Sequence, residues 1–336
     1  MEKSRRPSRS RAGFGLVGTS FVAVLAAACG GGGGSSSAPG ASAGVNPPAQ
    51  ASIAAELPKA IKDNVPLQIA TDATYEPNEF VDVDTSELKG WDVDLAKAIC
   101  HVWGVTCTIS NVTFGDIIPA MLEAKPKYVL SLSSFTPTEA REMKGIDFVT
   151  YYKAGESWLV KTGGPSISKA TDLCGHSVAV ESTTTEESDA YGLIGQMPGG
   201  EAIAGDTDNC KAAGKADVTV QSFDTQTEAD AALLSGRSDF GWADSPVAGF
   251  QVKLKNGQIK LAGSPCGVAP YGIAMTHASG LQQAVSDAVK YMIDHGYYKK
   301  ILDNWNVGSG AITSADVGVN GNSITGAGTE ACVPAY

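Results

Sequence analysis

Residues 128–141 read YVLSLSSFTPTEAR. The run YVLSL has the make-up of a buried strand, and four hydroxyl residues, a proline and an arginine follow it within nine positions. Thr136 as N-cap, Pro137 at the first helical position and Glu139 three residues after the cap predict a capping box and a helix start. A helix start at the carboxyl end of a strand is half of a βα unit. It also presents unpaired N–H groups and partial positive charge at the place where open α/β sheets bind ligands. With Ser133, Ser134 and Thr136 as hydroxyls and Arg141 as a planar fork, the turn suits a carboxylate. A plain cap with a solvated arginine satisfies the same residues equally well.

The same alternation extends on both sides. PLQIAT, VTCTI, YVLSLSS and IDFVTYY read as strands, separated by the helix WDVDLAKAICHVWG and the shorter helical runs GDIIPAMLEA and TEAREMK. Val93, Leu95, Ala96, Ile99 and Val102 are near helical spacing, and Gly104 stops that helix. A second series follows: HSVAVE, TTEESDAYG, VTVQSF, TQTEADAALLSG, SDFGWAD and SPVAGFQVKLK. YGIAM then gives one more strand, and GLQQAVSDAVKYMIDHGYYKKILDNW gives two helices broken at Gly296. Alternating strands and helices predict an α/β fold with largely parallel sheet, and two series predict two lobes. From Asn306 the chain turns rich in Gly, Ser and Ala, which predicts a poorly structured tail pinned at Cys332.

The ends of the chain speak to location. Lys3, Arg5, Arg6, Arg9 and Arg11 precede the apolar run FGLVGTSFVAVLAAA and then Cys29, which is the layout of a signal peptide over 1–28. The apolar run is short for a spanning helix. Ala26, Ala27 and Ala28 before Cys29 resemble a lipobox whose leucine, Leu25, sits one position early. After Cys29 come five glycines and a Ser/Ala/Pro tract, so a lipidated cysteine on a flexible tether over 29–51 is expected. Loss of residues 1–28 removes five positive charges and one negative, taking the net charge from −11 to −15. So acidic a body argues against nucleic acid and against lying flat on anionic lipid. Six cysteines remain, and an even number in an exported chain favours disulfides. Of fifteen possible pairings, locality favours Cys100–Cys107, Cys174–Cys210 and Cys266–Cys332. The four histidines lie far apart, so no metal and no cofactor are expected.

Other strand-to-helix turns carry candidate ligand groups. Asp72 and Tyr75 follow the first strand and Phe114 enters the next helix; Glu181, Thr184 and Thr185 follow a strand of the second series, as does Asp244. A core aromatic or a helix cap explains each of them singly. There is no phosphate loop of the G-x-x-x-x-G-K-[ST] kind, no G-x-S-x-G elbow and no H-E-x-x-H helix, which leaves binding between lobes as the default.

Residues 66–310 resemble the extracytoplasmic solute-binding proteins of polar amino acid ABC transporters. The stretches that carry the likeness are GWDVDLAKAIC, FGDIIPAML, LSSFTPTEAR, LCGHSVAVESTT, GRSDFGWADSPVAGF and PYGIAM with DHGYYKKILDNW, in the family's order. The resemblance implies a type II periplasmic-binding-protein fold, a Venus flytrap of two α/β lobes joined by two crossover strands. The first lobe would hold 52–152 and 269–310 and the second 153–268, with 311–336 as tail. It implies a monomer outside the membrane, anchored through its N-terminal lipid or else periplasmic, that hands a free polar amino acid to an ABC permease and is not an enzyme. Arg141 would take the ligand's carboxylate beside Ser133, Ser134 and Thr136, and Thr184 and Thr185 would donate to it from the second lobe. Asp244 would accept the α-ammonium, Tyr75 and Phe114 would flank the side chain, and Asp72 would meet its far end. This chain departs from the pattern at Thr183, where the family has glycine, at Tyr128 and at Glu181. Glu181 with Asp72 makes the side-chain pocket acidic, which favours a cationic ligand over glutamate, although relatives with this aspartate also take amides. The rivals are a cyclohexadienyl-dehydratase-like enzyme with Glu181 as acid and a sensor without transport.

Overall fold

The protein is described by a computed structural model covering residues 44–205, 208–320 and 331–333. The expected signal peptide, Cys29 and most of the tether lie outside the described residues. Nine strands form the main sheet: β1 Leu67–Thr71, β2 Cys107–Asn111, β3 Leu130–Ser131, β4 Ile146–Lys161, β5 Ser177–Glu181, β6 Thr219–Phe223, β7 Phe240–Asp244, β8 Ile259–Leu261 and β9 Cys266–Thr276. Their order is β2-β1-β3-β9-β4-β7-β5-β6, with β8 also on β4. The outer strands pair in parallel, β1 with β2 and β3, and β5 with β6 and β7. The long β4 and β9 are antiparallel and run through both lobes. Lys153 faces Pro270 and Ala154 faces Ala269, and the register shifts on both sides of this stretch. Bulges there bend and twist the ribbon where one lobe gives way to the other.

Each lobe has its own core. Helix Trp91–Trp103 is buried at eleven positions and packs with Leu67, Ile69, Tyr151, Tyr271 and Met292. Trp91 lies 4.6 Å from the Tyr152 ring and donates to Asn78 Oδ1 at 2.7 Å. Gly104, in the left-handed conformation at φ 67°, ends the helix, and Cys100–Cys107 closes the turn that follows. The second core gathers Val178, Val180, Leu173 and Phe240 around Trp158 and Trp242, whose rings meet at 5.4 Å. The disulfides Cys174–Cys210 and Cys266–Cys332 border it. A third cluster, with Tyr75, Phe114 and Phe135 on one side and Leu159, Ala243 and Val247 on the other, lies where the lobes meet.

Residues 307–320 correct the expectation of a poorly structured tail for that stretch. Ile312 and Val317 are buried in the first core, the Ile312 N–H donates to the Tyr298 hydroxyl, and Val319 bridges Val149. Asn320 accepts from the Phe148 N–H at 2.9 Å and donates to Asp147 at 2.6 Å. Two apolar residues and one asparagine suffice to pin a segment whose small residues masked them. At the other end Val45 already packs in the first core, and the Gln50 N–H donates to Val102 O, inside the stretch read as tether.

Candidate functional site

Three turns of the first lobe are tied together by Asp72. Its Oδ2 accepts from the Phe114 N–H at 2.7 Å, opening helix Phe114–Met121; its Oδ1 accepts from Thr74; its own N–H donates to Ser133 Oγ at 2.8 Å. Ser134, at φ 53°, donates its N–H to Asp92 and accepts from Asn78. Gly272 lets this loop sit on the crossover strand. A Cβ there would come within 3.0 Å of Pro137 in the loop and 2.6 Å of Phe148 on the paired strand, and the Gly272 N–H donates to Phe135 O.

The helix start in SSFTPTEAR is not where the pattern places it. Thr138, not Thr136, is the cap, its hydroxyl accepting from the Arg141 N–H, and the helix is one turn, Glu139–Glu142. Pro137 disfavours helical backbone at the residue before it, so Thr136 stays outside the helix and lines the cavity. One turn has little dipole, so the positive charge here is Arg141 itself. Its guanidinium packs beside the stacked pair of Phe114 and Phe135, 5.3 and 5.2 Å from the two ring centroids. It donates to Thr136 O at 2.6 Å and, across the cleft, to Thr183 O at 2.9 Å. Burial brings its pKa down to about 10, which leaves it charged at neutral pH.

In the second lobe β5 runs into helix Thr185–Gly192, capped by Thr184, whose Oγ1 accepts from the Glu187 N–H; the Glu187 carboxylate accepts from the Thr183 N–H. Thr183 keeps the left-handed turn at φ 65° where a glycine bears it more easily, and a Cβ added at Gly115 in the opposite lobe would meet its side chain at 3.4 Å. Asp244 ends β7 and faces the same space. Burial, then Glu186, hold its carboxyl well above the usual range, while the Tyr271 hydroxyl and Arg141 oppose them.

Tyr75, Phe114, Ser133, Ser134, Thr136, Arg141, Thr184, Thr185 and Asp244 line one cavity. Asp72 and Glu181 do not line it. Glu181 is 1% exposed, both its oxygens lack a hydrogen-bond partner, and burial, then Asp72, push it up to about 10. It bears on Tyr75 electrostatically, so the two acids stand behind that ring. Glu186, Gln226 and Val247 also line the cavity and escape the sequence pattern. Glu186 reads there as a first-turn helix acid, and Gln226 opens helix Gln226–Ser235, after β6, at one more strand-to-helix turn. The enclosed volume is about 30 Å³, far below that of an amino acid, so the lobes must part for entry. A larger groove of about 610 Å³ is lined by Tyr152, Lys153, Phe250, Lys253 and Trp305, with no carboxylate to pair an ammonium.

One buried guanidinium and a half-buried carboxyl on one cavity, between two α/β lobes joined by crossover strands, define a two-lobed binding protein of the type II periplasmic class. The chain belongs to the bacterial extracellular solute-binding proteins, family 3, whose model matches residues 67–308. It is 29% identical over 263 residues to the arginine-binding protein ArgT of Corynebacterium glutamicum, covering 78% of this chain and 81% of that one. It is 27% identical to the ABC transporter glutamine-binding protein GlnH of Bacillus subtilis, over 73% of this chain and 83% of that one. Among solved structures, an ancestral arginine-binding protein bound to arginine is similar at 34% identity and a TM-score of 0.60, covering 71% of this chain and 97% of that one. The ancestral amino acid-binding protein AncCDT-1, a precursor of cyclohexadienyl dehydratase, is similar at 29% identity and a TM-score of 0.59, over 71% and 94%. Among the described residues no helix is long and apolar enough to cross a membrane.

Proposed function

We propose that this protein captures a free L-amino acid with a cationic side chain between its lobes and presents it to an ABC permease outside the membrane. The observation that carries it is Arg141, charged and buried in a cleft whose acidic walls are Asp244 and Glu186. A zwitterion fits this polarity: its carboxylate replaces the carbonyls on the guanidinium and takes the hydroxyls of Thr184 and Thr185, and its ammonium meets Asp244. Its side chain passes Tyr75 and Phe114 toward Asp72 and Glu181, two carboxyls without a counter-charge. A guanidinium or ammonium supplies that charge; an amide only half satisfies it. The relatives named for arginine support the choice. In this reading 52–152 and 269–310 close onto 153–268 around the β4–β9 ribbon, and lipid on Cys29 holds a monomer at the membrane.

The dehydratase-like alternative has one observation in its favour, a buried Glu181 that keeps its proton. Against it, Arg141 and Asp244 complete a site for an intact amino acid. A thermal-shift panel of amino acids and polyamines separates them from the main proposal. A ligand at about 100 times its dissociation constant stabilises by about 2.7 kcal/mol. Arginine, lysine or ornithine raising Tm is the expected outcome; no shift from any α-amino acid defeats the proposal.

A further inference from the structure

Lobe two gathers more carboxyl groups near the cleft than one ammonium needs: Glu186 and Asp244 line it, and Glu156 and Asp189 adjoin them. Glu156 on β4 stands opposite Asp244 on β7 in the antiparallel register, so both side chains leave the same face of the sheet. Glu186 and Asp189, three residues apart on helix Thr185–Gly192, are neighbours on one helix face. Glu156 is 7% exposed and its Oε2 is buried without a hydrogen-bond partner. Among the described residues none of these four carboxyls forms an ion pair with a lysine, arginine or histidine.

The geometry suits an ion. A Glu156 oxygen and an Asp189 oxygen lie within 4.8 Å of each other. Two oxygens that each sit about 2.4 Å from a shared Ca²⁺ are at most about 4.8 Å apart, so one ion can touch both. The Cys332 sulfur, also within that range, is bonded to Cys266 and supplies no thiolate. The donors are therefore all oxygen, which selects hard cations over zinc or copper. Asp189 is half-buried, which leaves a way in and room for water ligands. Such a site escapes a search of the sequence for histidine and cysteine spacing, because its acids are 33 positions apart on a strand and a helix.

We propose that Glu156 and Asp189, backed by Glu186, hold a hard divalent cation of the Ca²⁺ type in lobe two, next to the carboxyls that line the amino acid site. The ion ties the helix that carries Thr185 to the crossover strand. With few protein ligands it binds weakly, with a dissociation constant of about 10⁻⁴–10⁻³ M, as in extracellular Ca²⁺ modules.

The test is calorimetric titration of CaCl₂ into chelator-treated protein without amino acid, on wild type, Glu156→Gln and Asp189→Asn. Saturable binding of one Ca²⁺ in that range, weakened at least about tenfold in each variant, is the expected result. No saturable binding, or binding unchanged in Glu156→Gln, overturns the site. If Glu156→Gln does not fold by circular dichroism, the half-exposed Asp189→Asn decides alone. If Ca²⁺ does not bind and the variants instead weaken L-arginine, the acids serve the ammonium and the cation site is refuted. Because no amino acid is present in the titration, its outcome is independent of the proposed ligand.

Discussion

Replacing Arg141 by alanine separates the fold from the site. The guanidinium makes two hydrogen bonds to carbonyls that border the cleft, and water can reach both once the side chain is gone. Contact with two buried aromatic rings is also lost, at about 2 kcal/mol for a desolvated cation, against which the cost of burying the guanidinium is recovered. Folding should therefore weaken by only about 1–2 kcal/mol, a few degrees in Tm for a chain of this size. Ligand binding should weaken far more. Truncating one partner of a buried, hydrogen-bonded charge pair costs about 2–5 kcal/mol. At about 1.4 kcal/mol per decade that is a loss of about 30-fold to several thousand-fold for L-arginine by calorimetry. Arg141→Lys keeps the charge and loses the fork, so it should fall between wild type and alanine. Affinity in Arg141→Ala within about fivefold of wild type, with the fold intact by circular dichroism, would return Arg141 to a packing role.

Three further outcomes follow from named groups. Glu181→Gln preserves shape and removes the carboxylate, and a charged hydrogen bond is worth about 1.5–3 kcal/mol. L-arginine should therefore bind about 10- to 100-fold more weakly by calorimetry while L-glutamine changes little; an unchanged ratio would clear Glu181 of any part in selectivity. Burial, then Asp72, hold Glu181 up to about 10, and Asp72 is raised by its own burial. The folded ligand-free protein thus holds protons that the unfolded chain releases near pH 4–5, so this stability is full below that range and is lost as pH rises toward 10. Urea midpoints should fall from pH 5 to pH 9 without ligand and recover with L-arginine, whose charge favours the ionised acids; a flat or rising ligand-free profile would count against it. Cys174 and Cys210 close a loop of 36 residues, and chain entropy gives about 4 kcal/mol for one that long. The Cys174→Ser, Cys210→Ser double variant should lower the urea midpoint accordingly, and an unchanged midpoint would refute the entropic account.

Much of the fold is legible because its signals are local. Strand-helix alternation, the stop at Gly104 and the break at Gly296 need no tertiary partner to be read. The cysteine pairs follow the same logic of proximity. What escapes is set by distant contacts. β4 runs on to Lys161 because both its faces are buried, although KAGESWLVK has no clean alternation. The cap moves from Thr136 to Thr138 because Pro137 holds the preceding backbone out of the helix. Asp72 reads as a pocket acid, yet its two oxygens accept from Phe114 and Thr74, so its reach into the cleft is indirect. Glu186 and Gln226 acquire their place only when the second lobe folds over the first.

The proposal that a carboxylate on Arg141 anchors a cationic amino acid is tested most directly by one paired titration, L-arginine against agmatine, which has the guanidinium and no carboxylate. L-arginine should bind one to one, and agmatine at least about 100-fold more weakly, the loss of one buried charge pair. Equal affinities, or no binding of L-arginine at all, would contradict it.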